Sequence, residues 1–158
     1  MLGVGAPLVT ASAPLGFFSI EFAGEPFFAN MVVDGWKSSQ AQFVLGLAFV
    51  FLISFYPLLT VGCLWASDVM EGYSGFLHET GILLAWAQAG AAMLNLAENV
   101  LLVPVLIGRD FSLARAVLIC AAAKYAVILA ALIFMAYAAI TAALGRTSNL
   151  RKAAYRSS

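Results

Sequence analysis

Residues 95–125 read NLAENVLLVPVLIGRDFSLARAVLICAAAKY. Two apolar runs flank a short polar stretch, Arg109–Arg115, with the composition of a turn. Glu98 lies eleven residues before Arg109, and Lys124 lies nine residues after Arg115. If both runs are helices folded back at the turn, a rise of about 1.5 Å per residue brings the two charges nearly level. An ionisable group inside a membrane helix costs roughly 2.5–3.5 kcal/mol on insertion scales, so it faces protein and takes a partner. Glu98 and Lys124 are therefore expected to pair, and the rest of the chain is read outward from this hairpin.

The surrounding composition supports a membrane setting. The chain has 158 residues, 63% hydrophobic and only 10% charged, where a soluble domain carries about 25% charged residues. Mean hydropathy is +0.97. Eight basic residues balance eight acidic ones, which leaves no basic surface for nucleic acid. Cys63 and Cys120 fall in separate apolar runs, form no metal-binding spacing, and are read as small buried hydrophobes. One histidine excludes a His-ligated cluster within the chain, and no metal site is expected.

The pattern predicts an all-α integral membrane protein with three transmembrane helices, at about 41–66, 81–107 and 116–144. No charge occurs between Lys37 and Asp68, and about 20 apolar residues suffice for a span. Pro57 should bend the first span, with Ser54 helping to satisfy the freed backbone. Residues 1–25, rich in Gly, Pro and Ala, are expected to form an extended arm, with no basic leader of a signal peptide. Residues 26–37 are expected to form a short helix in the interface plane, because Pro26 suits a first turn and Trp36 and Lys37 favour the membrane boundary. Residues 146–158 form a basic tail with four Lys or Arg and no acid. The excess of basic residues there, four against three on the other side, places the tail in the cytoplasm. The expected location is a bacterial inner membrane or an intracytoplasmic membrane derived from it.

The second span concentrates the polar side chains. Gln88, Asn95 and Glu98 or Asn99 share one helical stripe, with Ala91 and Ala92 between them. Small and polar residues on one stripe are what helix association in lipid uses. The expected site is thus a structural polar cluster of Glu98, Lys124, Asn95, Asn99 and Gln88. A proton relay through Glu98 is the competing reading, but it requires more titratable groups than one acid and one base. His78, beside Glu79, is a candidate ligand. A Ser–His–Asp site would need His78 with Ser67 or Ser74 and Asp68 in one short loop, without a nucleophile elbow. No catalytic residue and no cofactor is expected, although amide and carboxyl oxygens leave a bound lipid or pigment open.

Three motifs resemble a group of small, uncharacterised bacterial membrane proteins. Phe18-Ser19-Ile20-Glu21-Phe22-Ala23-Gly24 followed by Trp36 is similar to an outer FELAG-like segment of that group. Asn95-Leu96-Ala97-Glu98-Asn99 is similar to its acid–x–x–Glu–Asn pattern, and Ala121–Tyr125 to its Ala-rich turn ending in Lys and an aromatic. The resemblance runs loosely over residues 18–140 and implies three spans, preceded in many members by a further one whose place residues 1–20 take here. This chain departs from the group at Asn95, where an acid is usual, and near Ala48, where the first span lacks one. The resemblance therefore implies a larger charge network reduced here to a single pair.

The expected function is a non-catalytic accessory subunit of a larger membrane complex, with an energy-converting complex, photosynthetic or respiratory, as the example that no residue specifies. Its partners would be other membrane subunits and lipids. A small ion- or proton-coupled transporter component using Glu98, and a lipid- or pigment-binding module, are the alternatives.

Overall fold

A computed structural model describes residues 8–107 and 109–156, with side chains at 38, 40, 44, 51 and 146–156 outside the description. The structure is 84% helical, and no strand occurs among the described residues. The order is α1 (Phe17–Glu21), α2 (Pro26–Asp34), α3 (Ser38–Glu71), α4 (Gly75–Leu106), a 3-10 turn (Phe111–Leu113) and α5 (Ala114–Arg156). Three stretches, Ala41–Glu71, Gly75–Leu106 and Phe111–Gly145, are long and apolar enough to cross a membrane.

Local chemistry accounts for the element ends. Pro26 opens α2, and Glu25 before it is extended, as a residue preceding proline prefers. Asp110 organises the α4–α5 connection: its Oδ1 accepts from Ser112 N at 3.1 Å and from Ser112 Oγ at 2.6 Å. Arg109 takes a left-handed φ of 55° there. The helix of α5 does not stop at 144 but runs through Gly145 to Arg156. One glycine costs only about 1 kcal/mol in a helix, and the Leu, Arg, Lys and Ala that follow are good helix formers.

The segment expected as an extended arm contains a helical turn, α1, between Gly16 at φ 60° and Gly24 at φ 67°. At Gly24 a side chain would be strained by the backbone, and a Cβ would also lie 2.8 Å from Leu118 Cδ2. Trp36 works inward: it is buried, and its Nε1 donates to Leu8 O at 2.8 Å, tying the arm to the end of α2.

The chain divides into two compact units. The first takes the arm, α1, α2, α3 up to Tyr56, α4 from Gly90 and α5 up to Ala126. Its core includes Leu8, Ile20, Val33, Trp36, Leu102 and Val117. The second takes α3 from Pro57, α4 up to Ala89 and α5 from Val127. It packs Ala66, Met70, Phe134 and Ala138, and separately Cys63, Ala85 and Ala131. Pro57 thus stands at the division between the units. Ser54 Oγ donates to Val50 O at 3.5 Å.

Candidate functional site: a lysine between two carboxylates

In the first unit Lys124 is 3% exposed and its ammonium meets three oxygens. Glu98 Oε2 lies at 2.5 Å, Glu21 Oε1 at 3.2 Å and Asn95 Oδ1 at 3.0 Å. The contacts to Glu21 and Asn95 have hydrogen-bond geometry. The contact to Glu98 is an ion pair by distance, and neither Glu98 oxygen accepts a directed hydrogen bond. Glu98 is fully buried. An ammonium has three donors, and here it faces three acceptors.

The four residues arrive from three elements. Asn95 and Glu98 are three residues apart on α4 and share one face. Lys124 comes from α5, whose Ala121 is buried one turn earlier. Glu21 ends α1, held at 4% exposure. Its second oxygen, Oε2, accepts from Tyr125 Oη at 2.7 Å. The Tyr125 ring is flanked by Phe18 and Phe22 at centroid distances of 5.9 and 5.7 Å. Phe18 of α1 and Phe22 at its C-terminal cap thus pack on the ring whose hydroxyl holds Glu21.

Glu21 corrects the reading of a single pair. The reduced network implied by the resemblance is in fact two carboxyls on one ammonium, with the second acid delivered by the arm. One signal in the sequence pointed to it: Glu21 is the sole charged residue in the first 24. Of the other expected members, Asn99 is buried on α4 with its Nδ2 unpartnered. Gln88 falls in the second unit, where its Nε2 donates to Leu84 O at 3.3 Å and its Oε1 accepts nothing.

His78 also lies in the second unit, against buried Ser67. Ser67 Oγ donates to His78 O at 2.8 Å, and His78 Nδ1 lies 3.0 Å from Ser67 Oγ and 3.2 Å from Ser67 O. With the hydroxyl proton committed to a carbonyl, Nδ1–H is the donor of the remaining contacts. This is a clamp between α3 and α4; a nucleophile would need its proton on the imidazole. Gly81 makes the clamp possible, since a Cβ there would stand 2.6 Å from Ser67 Cβ and 2.9 Å from Ser67 Cα. No group of three or more His, Cys, Asp or Glu suited to hold a metal gathers among the described residues.

Comparison with known families, characterised proteins and solved structures finds no match for this chain.

Proposed function

We propose that the protein is an integral membrane subunit that serves a larger complex as a non-catalytic helical element, with the Lys124 cluster as its internal lock. The observation that carries this reading is the closure of the cluster. The ammonium faces three oxygens, Glu98 is fully buried, and Lys124 and Glu21 are within a few per cent of it. Such a set fixes which helix faces meet, because leaving its ammonium without a carboxylate would cost about 3–5 kcal/mol. The most apolar windows of the three long helices are only 19%, 39% and 17% buried. Their remaining surface is available to lipid and to partner subunits. The basic end of α5 supports a cytoplasmic placement of the tail in a bacterial inner membrane.

The test is the mass of the particle after gentle detergent extraction from native membranes. The expected result is a stoichiometric complex containing other membrane subunits. A lone chain or a small homo-oligomer would remove the subunit reading.

Glu21 favours one further reading. Two carboxyls facing one ammonium form a set whose net charge changes with a single proton, as a small ion- or proton-coupled component requires. Flux in liposomes decides it: a transporter loses flux on Glu98→Gln while staying folded, and a lock carries none in the wild type.

A further inference from the structure

Residues 8–36 leave one level of the first unit and return to it. At that level Trp36 holds Leu8 O, and Asp34 pairs with Arg109 beside the 3-10 turn. Between these points Gly24 lies against Leu118, and Glu21 reaches Lys124. Leu118 is three residues past Arg115 and Lys124 nine, or about 4.5 Å and about 13.5 Å further along α5 at 1.5 Å per residue. Side chains on a helix slope toward its N-terminus, so α1 lies between those two levels. The headgroup layer on each side of a bilayer is roughly 5–8 Å thick, from a core of about 30 Å and a total of about 40–45 Å. With Arg115 in that layer, α1 reaches the upper acyl chains.

The segment is built for such a place. Irregular backbone survives at membrane depth only where its polar groups are satisfied by protein. Here Thr10 and Ala13 exchange backbone hydrogen bonds at 3.2 and 3.1 Å. Gly16 N donates to Ala13 O, and Ser19 N to Gly16 O, both at 3.0 Å. The outward face carries Phe18, Phe22, Phe28 and Met31, each about half exposed. A groove of about 380 Å³ runs among Ser12, Ser19, Phe22, Phe28, Met31 and Val32. Its two hydroxyls are already engaged, Ser12 Oγ with Thr10 Oγ1 at 3.2 Å and Ser19 Oγ with Leu15 N at 3.1 Å. The groove's wall is thus more apolar than polar and carries no charge.

We propose that residues 8–36 form a wedge inserted into one leaflet, on the side of the 109–113 turn, and that lipid acyl chains occupy its groove and cover its aromatic face. This rests on the membrane reading above. The test uses single spin labels at positions 18, 28, 34 and 119 in the full chain, reconstituted in phosphatidylcholine, with Cys63→Ala and Cys120→Ala as background. Collision with oxygen reports lipid, and collision with a nickel chelate reports water. Labels at 18 and 28 should favour oxygen as strongly as the label at exposed Ile119 on α5, and the label at Asp34 should favour nickel. Nickel access at 18 and 28 equal to that at 34 would overturn the wedge. Shielding from both reagents would mean a protein covers the face, and would overturn the acyl-chain occupant. Nickel access at 119 would instead sink the membrane reading itself. Quenching of a Phe18→Trp variant by acyl-brominated lipid, measured against wild type, repeats the test with both cysteines in place: strong quenching is expected, and none would overturn the wedge.

Discussion

The same three long helices are held in two different ways in the two units. In the first, two carboxyls and an amide meet at Lys124, and the arm supplies one of the carboxyls. In the second, backbones approach closely at Gly81 and a serine–histidine clamp spans α3 and α4. The first depends on charge balance, the second on volume. A buried charge set tolerates changes that leave every charge a partner and fails when one charge is stranded. A close contact responds to any added atom, whatever its charge.

Substitutions should separate these two dependencies, and the largest effect belongs to the first unit. Lys124→Met leaves two buried carboxyls without their cation, and about 3–5 kcal/mol should be lost in denaturant titrations of the protein in mixed micelles. An unchanged midpoint would mean the carboxyls need no counter-charge, and the contrast between the units would collapse. Gly81→Val places a branched side chain against Ser67 and Phe134, and overpacking of this kind costs about 1–3 kcal/mol. The same titration checks it, and a neutral result would show that α3 and α4 can separate freely. Ser67→Ala deletes the hydroxyl of the clamp and should cost about 0.5–1.5 kcal/mol, read as faster amide exchange around His78. The smallest effect is expected at the rim. Asp34 and Arg109 are about half exposed, so Asp34→Asn should cost about 0–1 kcal/mol, and the difference should vanish in high salt.

The sequence made some of this visible and hid the rest for identifiable reasons. The level of Glu98 and Lys124 followed from counting through a turn, because both sit on regular helices with a fixed rise. The start of α2 followed from Pro26. Glu21 was hidden because it lies in a Gly- and Pro-rich stretch with no period to count along; only its isolation among Phe18, Ile20 and Phe22 hinted at burial. Gln88 shares a helical stripe with Asn95, yet a stripe runs the whole length of a helix and does not say which section of the partner helices each residue meets. The continuation of α5 past Gly145 reflects the weakness of a single glycine as a helix breaker against good formers on its far side.

The central claim, that one ammonium serves two carboxyls from different elements, is tested most directly by a double-mutant cycle on Glu21→Gln and Glu98→Gln, with unfolding free energy in mixed micelles as the readout. Each single variant leaves a balanced pair with Lys124 and should cost well under the roughly 3–5 kcal/mol of a stranded buried charge. The double variant strands the lysine and should cost about 3–5 kcal/mol, far more than the sum of the singles. Additive, small losses, or full collapse on Glu98→Gln alone, would contradict the shared site.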